Sequence, residues 1–158
     1  DGWYLISLPN APLDNDISKV LSPISGKYTS VWAYSNGQWS VFSPDQPAFS
    51  DLNSMGVDKA YWLYMKQAGS LSLLGSVLTV HPIHLVQGWN FVGFNSTVNR
   101  PVADALYSIA GRYLAVWAYV DGKWKLFDPN NPGISDLMEM EPGYGYWIYT
   151  TMATDWVL

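Results

Sequence analysis

Apolar residues fall along this chain in short blocks separated by turn-forming residues, and the blocks come in two series. Trp3-Tyr4-Leu5-Ile6-Ser7-Leu8 and Trp89-Asn90-Phe91-Val92-Gly93-Phe94 each predict an opening strand. A different spacing follows: Ile17, Val20, Leu21 and Ile24 in the first series, then Val102, Ala105, Leu106 and Ile109 in the second. Positions three, four and seven apart share one helix face, so each set predicts a short helix. Asn15 or Asp16 is the candidate cap of the first helix, and Asn99 that of the second with Pro101 in its first turn. Gly26 and Gly111 are candidate C-terminal caps. Period-two blocks resume at Val31 to Tyr34 and Trp39 to Phe42, and at Val116 to Tyr119 and Trp124 to Phe127. Each pair flanks Asn36-Gly37 or Asp121-Gly122, the dipeptides preferred in two-residue hairpin turns that need positive φ at both central positions. Proline-rich loops come next (43–49 and 128–134), then a helical turn in which Asp51 and Asp136 are read as N-caps, with Asp136 and Glu139 forming a variant capping box. Tyr61 to Tyr64 and Tyr146 to Tyr149 are apolar on both faces and predict central strands. Ser70 to Leu74 and Asp155 to Leu158 predict a last strand in each series.

The two series are one unit written twice. Trp32-Ala33-Tyr34 recurs as Trp117-Ala118-Tyr119 at a shift of 85, and Gly2-Trp3 recurs as Gly88-Trp89 at a shift of 86. A period this long means two small domains rather than solenoid units. The predicted fold class is therefore α+β and β-rich, with two homologous β-α-β-β-β repeats, each a mainly antiparallel sheet with one short helix. The expected units are 1–76 and 77–158, joined by a linker strand at about 77–87. A strand near Ile83 to Val86 precedes only the second Gly-Trp. One strand position beside the first sheet is thus read as vacant, its strand lying either in another portion of a larger parent protein or donated by a neighbouring subunit.

The hairpin turn also sets the register. Directly opposed residues share a sheet face, so Trp32, Tyr34, Trp39 and Val41 lie on one side, with Val31, Ala33 and Phe42 on the other. Trp117, Tyr119, Trp124 and Leu126 stand likewise against Val116, Ala118 and Phe127. The aliphatic face suits packing under the helix. The six aromatic residues Trp32, Tyr34, Trp39, Trp117, Tyr119 and Trp124 are the candidate ligand-binding set, either as a stacking platform or as cross-strand pairs buried in a core.

Composition narrows the function classes. Of 158 residues 16% are aromatic and only 13% charged, against a usual charged share of about 25%. Net charge is −5, with eight Lys and Arg in all, and no basic cluster answers the phosphates of nucleic acid. No apolar run reaches the ~20 residues of a membrane helix. The absence of cysteine excludes disulfides and thiolate metal sites. His81 and His84, three apart in a strand, point to opposite faces and do not suggest a shared metal. Asp14-Asn15-Asp16 and Asp128-Pro129-Asn130-Asn131 offer oxygens, but turn and cap chemistry explains them better than calcium. Asn95-Ser96-Thr97 fits a weak N-glycosylation acceptor. No nucleotide-binding glycine motif and no nucleophile elbow occurs.

Gly-Trp-Asn-Phe-Val-Gly at 88–93, followed by Val-Trp-Ala-Tyr, Asp-Gly-Lys-Trp, Phe-Asp-Pro and Asp-Leu-Met-Glu-Met-Glu-Pro-Gly-Tyr-Gly-Tyr-Trp-Ile, resembles a Trp-rich module. That module is found, often in tandem, in large secreted or cell-surface proteins of bacteria and archaea. The resemblance covers both repeats. The first departs from it at Val57-Asp58-Lys59-Ala60, where the second has Pro142-Gly143-Tyr144-Gly145. It implies an extracellular accessory module with no catalytic residues to carry over and no cofactor. The expected function is non-catalytic attachment or assembly at the cell surface, through aromatic sheet faces or a sheet edge. The partners would be other subunits or the rest of a larger chain, without nucleic acid or membrane insertion. Two alternatives stand beside it: a carbohydrate-binding module using the six aromatic residues, and a hydrolase with an unrecognised carboxylate pair.

Overall fold

Asn36 and Gly37 have φ of 52° and 79°, and Asp121 and Gly122 have φ of 51° and 76°, so both hairpins turn on the two-residue loops that their sequences require. These values come from a computed structural model, which describes residues 1–77 and 81–158. The hairpin of the first repeat (Tyr28–Ser35 and Gln38–Phe42) pairs Tyr34 with Trp39, Trp32 with Val41 and Val31 with Phe42. The second (Tyr113–Val120 and Lys123–Phe127) repeats that register at Tyr119–Trp124, Trp117–Leu126 and Val116–Phe127.

Each repeat builds a four-stranded antiparallel sheet. In the first, the opening strand Gly2–Ser7 pairs with the closing strand Ala60–Met65, which pairs in turn with the hairpin. In the second, Gly88–Gly93 and Gly145–Thr150 take the same places. The closing strands are central, as their two apolar faces demand. The fold is thus β-rich with antiparallel sheets, two similar repeats and one short helix in each.

The helices are shorter than their periodicity suggests. An α-helical turn at Ile17–Val20 passes into a 3₁₀ turn at Ser22–Ile24, and Val102–Ala105 into Tyr107–Ile109. Pro23 cannot donate into an α-helical ladder, but the same break occurs in the second copy, where Ser108 stands in its place. All four predicted apolar positions in each copy are nonetheless buried. They sit against the aliphatic sheet faces, with Val31 and Ala33 in one core and Val116 and Ala118 in the other. Gly26 and Gly111 take φ of 76° and 75° and end the helical stretches.

Several local expectations are corrected. Asp16 caps the first helix by accepting from the Ser18 and Lys19 amides. The second helix has Pro101 at its cap position, which offers no side-chain acceptor, while Asn99, two residues earlier, donates to Glu139 Oε2 at 3.3 Å. Glu139 is therefore not part of a capping box; Glu139–Met140 pairs with Arg100–Pro101 as a two-residue bridge. Asp51 and Asp136 cap nothing. Their Oδ1 atoms accept at 2.7 Å from the amides of Val41 and Leu126, and their own amides donate back to the carbonyls of the same residues. Each carboxylate thus satisfies the outer edge of a hairpin strand that has no further neighbour.

The strand expected at Ser70 to Leu74 is not formed: that stretch has no ladder, and Leu71 and Leu73 pack on the core from an irregular backbone. Gly75–Ser76 pairs instead with Ala11–Pro12. In the second repeat Thr154–Trp156 is a strand, paired with Ile83–Leu85. The extended segment expected from Val77 to Val86 lies partly outside the described residues, at 78–80.

The two repeats pack together around an approximate two-fold axis. The Ser7 amide donates to the Gly143 carbonyl at 2.8 Å, and the Gly93 amide to the Asp58 carbonyl at 3.2 Å. These bonds are equivalents under the repeat. Leu5, Ala60 and Phe91 form a small core between the sheets. At this seam the chain has no room: a Cβ on Gly93 would stand 2.5 Å from the Val57 carbonyl oxygen and 2.9 Å from that of Lys59. Neither obstacle is a side chain that could rotate away. Gly93→Ala is expected to cost about 1–3 kcal/mol, the usual range for overpacking, measured as a lowered denaturant midpoint. An unchanged midpoint would mean that the repeats are not docked in this way.

Candidate aromatic clefts

The side of each sheet that faces away from its helix is aromatic. Trp3 and Tyr64 come from the first and closing strands, with ring centroids 5.0 Å apart. Trp62 lies beside Trp32 and Leu5 across the ladders, and Tyr34 and Trp39 stand opposite each other near the hairpin tip, with centroids 5.1 Å apart. The second repeat places Trp89, Tyr149, Trp147, Trp117, Phe91, Tyr119 and Trp124 likewise.

The two aromatic faces meet at their hairpin tips. Tyr34 packs on Trp147 at 5.3 Å and Trp39 on the same ring at 6.2 Å. The mirrored contacts are Tyr119 on Trp62 at 5.3 Å and Trp124 on Trp62 at 5.7 Å. Edge-to-face and tilted arrangements dominate, as the ring quadrupole favours. Each tip therefore covers only part of the opposing face, and the remainder stays open as two clefts. One, of about 540 Å³, is lined by Trp3, Trp32, Trp39, Trp62, Tyr119 and Trp124. The other, of about 500 Å³, is lined by Trp89, Trp117, Trp124 and Trp147.

Exposure decides between core and surface for these rings. Trp3, Trp39, Trp89 and Trp124 retain 44%, 47%, 44% and 48% of their accessible surface. Trp32, Tyr34, Trp62, Trp117, Tyr119 and Trp147 are half-buried. Four large indoles at the mouths of two apolar clefts are more exposed apolar surface than a small monomer usually carries in one place. No carboxylate, imidazole or basic group lines either cleft, so the chemistry on offer is ring stacking, CH–π contact and a few indole and phenol hydrogen bonds.

Of the six residues singled out by the hairpin register, five line a cleft: Trp32, Trp39, Trp117, Tyr119 and Trp124. Tyr34 is taken up by its contact with the other repeat. The hairpin alone does not reveal Trp3, Trp62, Trp89 and Trp147. Their signal was the repeated Gly-Trp and Tyr-Trp pairs, whose inward or outward direction depends on strand pairing across the sheet.

The other candidates resolve into local structure. Asp128 accepts from the Asn131 side chain and from the Asn130 and Asn131 amides, which hold its carboxyl below the usual range, the Asn131 side chain most of all. Asp16 is lowered chiefly by the Ser18 hydroxyl. Asp14 accepts from the Asp16 amide. Both oxygen-rich stretches are thus engaged in turns and caps. His84 lies 2.8 Å from Asp155 across the short strand pair, both exposed. Asn95 has both side-chain amide atoms buried without a hydrogen-bond partner, so the nitrogen that glycosylation would modify faces the interior. Among the described residues no three His, Cys, Asp or Glu cluster as metal ligands, and no helix is long and apolar enough to cross a membrane.

No protein-family profile, curated protein or solved structure matches this chain.

Proposed function

We propose that this chain is a non-catalytic attachment module of an extracellular or cell-surface protein, which binds an uncharged polysaccharide through its two aromatic clefts. The observation that carries the reading is the paired half-exposure of Trp3, Trp39, Trp89 and Trp124 around clefts lined by rings. Pyranose rings present apolar CH faces that stack on indole, and a neutral lining neither attracts nor repels charge. The duplication supports a polymer in particular. Two aromatic clefts in one chain gain effective concentration only on a ligand that repeats its own epitope.

Co-sedimentation with insoluble polysaccharides, together with gel retardation in soluble neutral glucans and mannans, tests this. At least one polymer is expected to retain the protein. Trp39→Ala with Trp124→Ala should abolish retention, since base–ring stacking of comparable area is worth about 1–3 kcal/mol per ring and the loss would fall on both clefts. Near-native circular dichroism of the variant would separate lost binding from lost fold. Failure of every polymer to retain the wild type would sink the reading. Turnover of any of these polymers, lost on a single Asp or Glu substitution, would instead favour a hydrolase.

A further inference from the structure

A polar cavity adjoins the second aromatic cleft. It has a volume of about 510 Å³ and lies between the tip of the first hairpin, the loop at Asp58 and Lys59, and the stretch from Ile83 to Val92. Trp89 is a wall of both the cavity and that cleft, and Trp124 is a wall of both clefts. The three spaces thus follow one another, two lined by rings and the last by hydrogen-bonding groups.

The polar groups come from both repeats. Asp58 and Lys59 stand where the second repeat has Gly143 and Tyr144, so this pair of charges is written in one half only. Its backbone is held in place: Lys59 bridges Val92, and the Gly93 amide donates to the Asp58 carbonyl at 3.2 Å. The ion pairs among the described residues are Lys66 with Asp45 and His84 with Asp155, so neither charge of this pair is spent on a salt bridge. His84 Nδ1 lies 2.8 Å from an Asp155 carboxylate oxygen. A carboxylate only accepts, so Nδ1 carries the hydrogen and Nε2 of the neutral ring is an acceptor. Asn36 and Gln87, both exposed, complete the wall with amides.

We propose that this cavity is a third subsite of the polysaccharide site, taking the hydroxyl groups of a sugar unit whose neighbour in the same chain stacks on Trp89. The inference rests on the reading of the clefts as polysaccharide sites and adds the place where one sugar is told from another. Indole rings supply contact area but discriminate little, because the common neutral pyranoses all offer an apolar face. Selection by hydroxyl pattern needs donors and acceptors fixed in position, which are left unpaired by the wrong sugar. Lys59 donates, Asp58 and His84 accept, and Asn36 and Gln87 do both. One carboxylate beside one ammonium leaves the Asp58–Lys59 wall without net charge, which suits hydroxyls rather than an ion. Since these charges occur in one half only, the run of subsites has a polar end and an apolar end, and a bound chain takes one direction along it.

The test is a titration of the isotopically labelled full chain with cellohexaose, laminarihexaose and mannohexaose, followed by backbone amide and indole resonances. With at least one of them, saturable shifts are expected at the Trp89 indole and, with the same midpoint, at residues 35–37, 58–59 and 84–87. Lys59→Met with Gln87→Ala should weaken that hexasaccharide about tenfold, the worth of one or two net hydrogen bonds, while the Trp89 shift persists at higher concentration. Both side chains are exposed, and the wild-type titration stands by itself if the variant folds poorly. Shifts limited to the indoles would overturn the subsite and leave the clefts as the binding face, as would an unchanged affinity in the variant. Failure of all three sugars to bind would also overturn it. Retention by polysaccharide is read separately, so the subsite can fail while the attachment reading stands.

Discussion

Trp156→Ala is expected to remove about 3–5 kcal/mol of stability, the range for truncating a fully buried large aromatic residue. The ring has no accessible surface. It stacks on Phe94 with centroids 6.4 Å apart and donates from Nε1 to the Ala105 carbonyl at 2.7 Å. Truncation would open a cavity beneath the short strand pair and leave that buried carbonyl unpaired, so two penalties add. The position also holds Ile83–Leu85 in place, which makes it the link between strand and helix in the second repeat. Urea denaturation followed by fluorescence would read the change. Leu71, its counterpart, is only partly buried, and Leu71→Ala should cost clearly less. Equal losses at the two positions would contradict the asymmetry between the repeats.

Strong alkali is expected to unfold the protein with an unusually steep loss of stability above pH 10. Tyr61 and Tyr146 are buried in the centres of the two sheets, and burial raises both phenols well above their ordinary value of 10. Each hydroxyl oxygen accepts from a backbone amide at 2.7 Å, Gly56 for Tyr61 and Glu141 for Tyr146, which favours the phenolate but does not offset desolvation. Above pH 10 the unfolded chain releases both protons while the folded chain keeps them. The folded state then binds more protons, so stability falls as pH rises, and below pH 10 the contribution is constant. The slope is about 1.4 kcal/mol per pH unit for each group, until the folded phenols themselves ionise. Ultraviolet titration of the phenolates together with circular dichroism would check it. Tyr61→Phe with Tyr146→Phe should flatten the alkaline limb, although it leaves two amides without acceptors. Phenolate formation by both groups without unfolding would refute the account.

The parts of this fold that were legible in the sequence are those fixed by local chemistry. Asn36-Gly37 and Asp121-Gly122 determine a turn, the turn determines a register, and the register assigns Trp32 and Val31 to opposite faces before any tertiary contact is known. The duplication is equally local, since it needs only comparison of the chain with itself. What was not legible depends on partners remote in sequence. Asp51 and Asp136 look like helix caps because Ser-Asp before an apolar run usually is one; the strand amides they actually bind lie ten residues back. Ser70 to Leu74 alternates as a strand does, but a strand forms only with a pairing partner: Thr154–Trp156 is held by Ile83–Leu85, and no described strand pairs with 70–74. Periodicity also could not show whether the tryptophans were core or cleft. That outcome depends on how far one hairpin tip reaches across the opposing sheet, and neither sheet encodes it alone.

The seam between the halves carries a further consequence. Ala60 and Gly145 are the same position in the two repeats, and they face each other; Ser7 and Gly93 are another such pair. In a symmetric dimer of one repeat, a residue on the axis would meet its own twin. Two alanines there would bring their methyl carbons within 2.6 Å, and two glycines would leave a void. Joining the copies in one chain released the axis from identity, so that one half could keep a side chain because the other gave it up. The halves have thereby become complementary rather than equivalent, and the pairing that docks them now distinguishes a half from its own likeness.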